Sequence, residues 1–482
     1  MTSRASFVVR PGERQLFVDD HDIASVDRLR STLHSPAKKG AVVRPNVALG
    51  VDTVQTRSAP AWDPTDLRFK LWTFASVPTD LAWDAEAGWI GQYNESADGL
   101  HWTQPPLHQV SHRGSTDNSF VSLRLHGKHA VPEAVVRDPS DLDPARRFKG
   151  WTWLRSNVVQ PIVSDGVAWK PLDCPGIPSQ DEFNLFYDTQ GAQFIGTVKH
   201  RATWGRAVSL TTSPDFGSWT TPEPIFEADD EDQERAAASI RARLANPMFN
   251  QPTSNDPSEY GADVYNMGLF RYESVFLGFP AFFHHTGRNA KGNNHDGFHL
   301  VQLVVSRDAR SWQRVGDRQP FISSSPLGAG AYDLTQILGP SSPIVRDDEL
   351  WFYYTGIKYR EVGEPSEPDR GAICLAVLRR DGFVSLDADS TEGDITTRPF
   401  TAPADRLFVN LQASRGQIRV HALDAAGDTI ATSVPLTGDQ TRAAVRWSDG
   451  SIEALKGKQI SLRFVLRDAQ LYSYWLADLR DQ

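Results

Sequence analysis

Apolar residues fall in short runs along this chain, and the runs recur in sets. "RFKLWTFAS" (68–76) and "GWIGQYNES" (88–96) are followed by the polar turn "ADGLHW". "RRFKGWTWLRS" (146–156) and "VVQPIVS" (158–164) are followed by "DGVAW". "AQFIGTVKH" (192–200) and "GRAVSLTTS" (205–213) lead into "PDFGSW", and "ESVFLGFPAFF" (273–283) and "FHLVQLVVS" (298–306) lead into "RDARSW". A further set, "ELWFYYTGI" (349–357) and "AICLAVLRRDGFVSL" (372–386), keeps the order without the Trp. The runs are rich in β-branched and aromatic residues and are bounded by Gly, Pro and Asp, which predicts strands. A second repeat precedes the first two sets. "WDPTDLRFKLW" (62–72) and "RDPSDLDPARRFKGW" (137–151) share an Asp-Pro turn, Asp-Leu, Arg-Phe-Lys and Trp, and so read as the same hairpin. Each unit is therefore strand, hairpin, strand, loop, strand, Asp turn, strand. Five such units predict an all-β, five-bladed β-propeller. The Asp of the repeated turn accepts backbone N–H bonds, and its role is structural.

The pattern changes after residue 385. "RLFVNLQA", "QIRVHALDAAG", "TRAAVRW", "QISLRFVL" and "LYSYWLAD" are alternating strands without Asp turns. They predict a C-terminal β-sandwich over 386–482, leaving 1–385 as the propeller with an N-terminal extension. One stretch departs from β character. "DDEDQERAAASIRARLAN" (229–246) has an acidic start and strong helix formers, so a helix is expected between blades 3 and 4.

Composition narrows the function. The 482 residues carry a formal net charge of -10, and no Lys/Arg block points to nucleic acid. No apolar run is long enough for a membrane span, and the N-terminal stretch lacks the apolar core of a signal peptide, so a cytoplasmic protein is expected. Two cysteines, Cys174 and Cys374, exclude a disulfide framework. The 14 Trp residues suit packing between sheets and stacking on sugar rings. No nucleophile elbow, phosphate loop or dinucleotide fingerprint is present.

Propeller geometry then places a site. If each first strand descends along the axis, the entries to the first strands gather around one funnel. Those entries are polar. Blade 1 offers Asp52; blade 2 offers Asp117 and Asn118; blade 3 offers Asp181, Glu182 and Asn184. Blade 4 offers Asp263, Tyr265 and Asn266, and blade 5 offers Asp333. Carboxylates are poor strand formers and costly to bury unpaired, so their recurrence calls for a reason. Glycosidic-bond chemistry supplies one, because it needs a protonated acid beside a carboxylate. Axis capping is the structural alternative. The loop "FHHTGRNAKGNNHDGFH" (283–299) shares that face and brings His284, His285, His295, Asp296 and His299. It lacks standard zinc spacing, so these side chains are expected to bind sugar hydroxyls and not a metal. "KYREVGEP" adds Lys358, Arg360 and Glu361.

Several stretches carry a resemblance: "LFVDDHDIASVDRLRSTLHSP", "ESADGLHWTQPPL", "TDNSF", "DEFNLFYD", "VQLVVSRDARSW" and "AYDLTQI", with the closing sandwich strands. Together they resemble bacterial proteins related to glycoside hydrolase families 32 and 43. That resemblance implies Asp, Asp and Glu on blades 1, 2 and 3 as nucleophile or base, transition-state stabiliser and general acid. By position it implies Asp52, Asp117 and Glu182, with Asp181 competing for the blade 3 role. Two departures stand out. No "NDPNG"-like stretch is present, and the "RDP" of Asp138 falls in a hairpin read as lying far from the funnel.

The expected function is a glycoside hydrolase acting on a small or terminal glycoside, with catalytic candidates Asp52, Asp117, Asp181, Glu182 and Asp263. Sugar-binding candidates are Asn118, Asn184, Tyr265, Asn266, His284, His285, Asp296, His299 and Asp333. The rival readings are a non-catalytic carbohydrate-binding propeller and a phosphorolytic enzyme. No cofactor is expected, though the axis leaves room for a structural divalent cation. Carbohydrate is the expected partner, nucleic acid and membrane are not, and a homo-oligomer stays open.

Overall fold

The computed structural model describes residues 7–77, 88–154, 157–289, 292, 294–328, 330–359 and 369–478. Arg360 and Glu361 lie outside the described residues. The antiparallel strands of the propeller pair in the repeating order the runs predict. Blade 2 is Ala134–Arg137, Phe148–Leu154, Val158–Ser164 and Trp169–Pro171. Blade 3 is Phe183–Asp188, Gln193–Ala202, Gly205–Ser213 and Glu223–Phe226. Blade 4 opens on the long hairpin Gly261–Tyr272 and Val275–Arg288. In blade 1 the inner strand is split into Thr53–Gln55 and Ala61–Asp63, both paired with Arg68–Ser76.

The repeated turns behave alike. Asp98, Asp165, Asp215 and Asp308 each accept two backbone N–H bonds from the residues two and three further on. The residue after each Asp is left-handed: Gly99, Gly166, Phe216 and Ala309. Glycine adopts that conformation freely, which explains its use in two of the four turns. Trp102, Trp219 and Trp312 each donate an indole N–H to the carbonyl of that left-handed residue. The shared hairpin is an ion-pair device. Lys70 lies 3.0 Å from Asp63 and also pairs with Asp66; Lys149 lies 3.6 Å from Asp138 and also pairs with Asp141.

Two boundaries differ from expectation. In blade 5, Glu349–Ile357 and Gly371–Arg379 are followed on the outside by Ala37–Val43, an N-terminal strand, and not by "FVSL". Val384–Ala388 instead joins the C-terminal sheet. Three further N-terminal strands do the same: Gln15–Leu16, Ile23–Asp27 and Arg30–Leu33 pair with strands of the 384–477 region. The reason is edge protection, since an unpaired outer strand exposes a row of backbone donors and acceptors.

The C-terminal strands are built around one long strand, Arg406–Leu423. Its first half pairs with Leu436–Ala444 and Ala469–Ala477, its second with Thr429–Ser433 and Gln459–Arg467. Leu407, Val409, Val420, Phe464 and Leu476 are buried in one hydrophobic cluster of this region. The helix Asp230–Leu244 (α1) stands where its composition placed it. Asp229 and Asp232 form a reciprocal N-terminal cap, and Arg314 and Arg318 bind the same two acids. No helix among the described residues is long and apolar enough to cross a membrane.

Candidate active site

Residues at or beside the inner strands of blades 1, 2 and 3 line one cavity, but most of the expected entry acids do not. This cavity, of about 270 Å³, is lined by residues of blades 1 to 4. Gln55, Arg57, Phe74 and Trp89 come from blade 1; His129, Glu133 and Trp153 from blade 2 and its approach; Asp181, Glu182 and Tyr265 from blades 3 and 4. A larger open groove, about 1120 Å³, runs along the sandwich edge, where Arg30 already pairs with Asp387. The smaller cavity is the one with buried acids.

Its charges are arranged in pairs. The buried guanidinium of Arg57 donates through Nε and Nη2 to the two carboxylate oxygens of buried Glu182. Lys199 donates to Asp181 at 2.6 Å and lies 4.0 Å above the Tyr265 ring. Arg206 donates to both oxygens of Asp263, at 2.9 and 3.1 Å. Glu133 is different. It sits half-buried at the cavity floor, and its Oε1 accepts one bond, from the Trp153 N–H at 3.1 Å. Burial pushes its carboxyl up to about 8; Arg57 opposes the shift, and Glu182 and Asp181 add to it. Asp181 moves the other way. Burial would raise it, but Lys199, then Arg206 and Arg57, more than offset that and hold it below its ordinary value. One acid of the cavity is thus kept protonated near neutral pH and another ionised.

Of the expected residues, Asp181, Glu182 and Tyr265 line the cavity. Asn184 lies behind the floor, donating to the Ser341 hydroxyl at 2.8 Å. Asp263 sits behind Tyr265 in its Arg206 pair, with His285 3.4 Å away, and Asn266 is buried in the same strand. Asp117 is corrected: it is exposed on the turn 115–119 and does not line the cavity. Asn118 binds the Val110 carbonyl and the Phe120 N–H, which makes it a loop cap. Asp52 also lies outside the lining, 3.9 Å from Arg370. Asp333 pairs with Lys38 at 2.6 Å and accepts from the Tyr354 hydroxyl, tying the N-terminal strand to blade 5.

The histidine loop serves packing. His284 stacks on Phe298, and burial lowers it to about 4. His285 stacks on His295, which contacts Glu259 at 2.8 Å. His299 packs against Tyr265 and Phe283. Asp296 gathers the N–H groups of Thr253 and Ser254. Lys358 lies 3.8 Å from Asp369. Among the described residues, no group of three or more His, Cys, Asp or Glu is arranged to hold a metal ion. Cys174 and Cys374 are free thiols.

Sequence reasoning missed Glu133, Arg57 and Gln55. A signal was available in the shared hairpin, whose leading Asp ends each inner strand. Glu133 stands five residues before Asp138, and Glu182 six before Asp188. Counting back from the hairpins finds both floor acids, whereas searching for Asp-rich entries finds Asp117.

No protein-family model matches the chain, and no curated protein matches its sequence. Solved structures of similar chain course exist at low identity. One is the family 32 β-fructofuranosidase of Bombyx mori in complex with sucrose, at 9% identity, covering 91% of this chain and 94% of that one, with a TM-score of 0.41. A second is a family 43 arabinoxylan arabinofuranohydrolase from Bacillus subtilis, at 10% identity, covering 91% and 99%, with a TM-score of 0.35. A third is an N-acetylgalactosamine deacetylase from F. plautii, at 11% identity, covering 74% and 96%, with a TM-score of 0.40. The strand pairing within the molecule, and not these likenesses, defines the propeller described above.

Proposed function

We propose that the protein is a glycoside hydrolase that cleaves a small or terminal glycosidic linkage in the cavity of blades 1 to 4. Glu133 acts as general acid and protonates the leaving oxygen. Asp181 acts as the carboxylate that activates water or attacks the anomeric carbon. Phe74, Trp89, Trp153 and Tyr265 supply aromatic walls suited to the C–H faces of a sugar ring. The observation that carries this reading is that two acids in different surroundings line one cavity, Asp181 bonded to Lys199 and Glu133 with a single neutral donor, the Trp153 N–H. A screen of nitrophenyl glycosides and oligosaccharides tests it, with Glu133→Gln and Asp181→Asn as controls. Full turnover in Glu133→Gln would defeat the assignment of Glu133, and full turnover in Asp181→Asn that of Asp181.

A binding-only propeller is the second reading. It is favoured by the engagement of Asp181, Glu182 and Asp263 with cations, which leaves Glu133 the lone cavity carboxyl among the described residues without an ion pair. Saturable sugar binding with no turnover across the screen would establish it. The same engagement leaves Arg57 and Arg206 unsuited to a phosphate pocket, which weighs against phosphorolysis.

A further inference from the structure

We propose that Arg57 is the positioning residue of this site: its side chain fixes Glu182 as a permanently paired carboxylate, and its main chain holds Glu133 in place to carry the proton. This role rests on the assignment of Glu133 as general acid.

The inner strand of blade 1 is broken. Between Thr53–Gln55 and Ala61–Asp63 the chain leaves the sheet, and residues 56–58 make bonds to other blades. The Thr56 N–H donates to the Thr355 hydroxyl of blade 5 at 3.0 Å. The Arg57 N–H donates to the Glu133 carbonyl at 3.2 Å, and the Ser58 hydroxyl donates to that carbonyl at 3.3 Å. Ser58 Oγ in turn accepts from the Val135 N–H at 2.7 Å. The Arg57 carbonyl accepts from the Ser341 hydroxyl, which Asn184 of blade 3 holds from its other side. The backbone of Arg57 is therefore pinned from several directions at once, and the acid-bearing residue of blade 2 is part of the clamp.

The side chain is equally constrained. Its guanidinium is buried, lies 5.1 Å over the Phe74 ring, and reaches Gln55 Oε1 at 3.3 Å besides its two bonds to Glu182. A forked pair of this kind engages both oxygens of Glu182 in charge-assisted bonds, so using either as the proton carrier would give up a strong bond. The proton-carrying role passes to Glu133. The ionisable groups facing Glu133 are Arg57 from blade 1, Asp181 and Glu182 from blade 3, Tyr265 from blade 4 and His129 from its own approach, with Lys199 and Arg206 behind Asp181.

Two substitutions should then act with opposite sign. Arg57→Gln removes the cation that opposes a proton on Glu133. Glu182→Gln removes a nearby negative charge and leaves Arg57 facing Glu133 unneutralised. The test is a ¹³C NMR titration of the Glu133 carboxyl in wild type, Arg57→Gln, Arg57→Lys and Glu182→Gln, with thermal unfolding in parallel. The expected midpoint rises by about one pH unit in Arg57→Gln and falls by about one unit in Glu182→Gln. Arg57→Lys, which keeps the charge but not the fork, returns most of the shift. Midpoints that stay put, or move the same way in both variants, would overturn the role. If Arg57→Gln does not fold, Glu182→Gln decides alone: a fall supports the role and no change ends it.

Activity separates this role from the reading beneath it. An inactive Glu133→Gln with unmoved midpoints removes Arg57 and leaves Glu133 standing. A fully active Glu133→Gln removes both.

Discussion

Arg57 and Glu182 are 125 residues apart in the chain, yet they meet as a forked ion pair at the floor of one cavity. Breaking a buried pair by removing one partner costs about 3–5 kcal/mol, because the survivor is left uncompensated. Glu182→Ala should therefore lower the melting temperature by several degrees. Thermal unfolding reads this, and a variant as stable as wild type would show that the pair bears little weight.

Glu133→Gln should behave in the opposite way. The amide keeps an acceptor for the Trp153 N–H. Turnover should fall by about 10²- to 10⁴-fold, the usual contribution of a positioned general acid. Asp117→Asn, on its exposed turn, should retain wild-type kinetics. Initial rates on any glycoside that the wild type hydrolyses compare the two.

The same carboxyl predicts a pH dependence of stability. Its folded value of about 8 lies above the ordinary 4.5, so the native state binds the proton more tightly than the unfolded chain does. The stabilisation is present in full below the unfolded value. It is lost as pH rises from about 4.5 through about 8. Glu273, raised to about 7 chiefly by burial, adds to the loss over an overlapping window. Glu133→Gln has no such proton to lose, so its melting temperature relative to wild type should be higher at pH 9 than at pH 5. An equal difference at both pH values would show that Glu133 ionises normally.

The junction of the propeller and the C-terminal strands gives a prediction away from the cavity. Asp381 accepts from Arg14, from the Tyr272 hydroxyl at 2.5 Å, from the Ser473 hydroxyl at 2.6 Å and from Asn410 at 3.3 Å. These partners come from the N-terminal segment, blade 4 and the sandwich. Asp381→Ala strands several buried donors and should cost about 3–5 kcal/mol. Its kcat at a temperature where it stays folded should match wild type. Denaturant unfolding and initial rates check the two halves of this expectation.

Gly99→Ala tests the repeated turn. Gly99 is left-handed, with φ of 79°, and an added Cβ would meet the Tyr353 hydroxyl at 2.7 Å. The backbone penalty alone is about 1–2 kcal/mol. Circular dichroism melts of this variant should show a loss at least that large, with activity kept.

The fold was legible because it is written in repetition. The runs before Trp102, Trp169, Trp219 and Trp312 mark strands, and the Asp turns mark the link between the third and outer strands. The helix at 230–244 was legible from its acidic cap. The site was legible in part. "QDEF" placed Asp181 and Glu182, because acids at a strand entry stand out. Glu133 did not stand out: it is one acid in an apolar stretch, "AVPEAVV", and its raised carboxyl comes from burial, with Glu182 and Asp181 adding to the shift and Arg57 opposing it. Asp117 stood out for the wrong reason: in "STDNSF" the residues Ser115, Thr116 and Asp117 are exposed loop, and Asn118 is buried as a loop cap. Arg57 could not be read at all from pattern, because its meaning lies in a partner on another blade. Nor could the outer strand of blade 5, where Ala37–Val43 displaced the local candidate.

That displaced strand has a bearing on biosynthesis. Residues 37–43 leave the ribosome early, but the strand they pair with, Gly371–Arg379, emerges only after most of the chain. The neighbouring 15–33 stretch waits longer still, for partners as late as Tyr474. Until then the strands that pair with these segments are missing. Nascent chains arrested before residue 371 should therefore be protease-sensitive and prone to clump, since the strand that covers Ala37–Val43 has not yet been made.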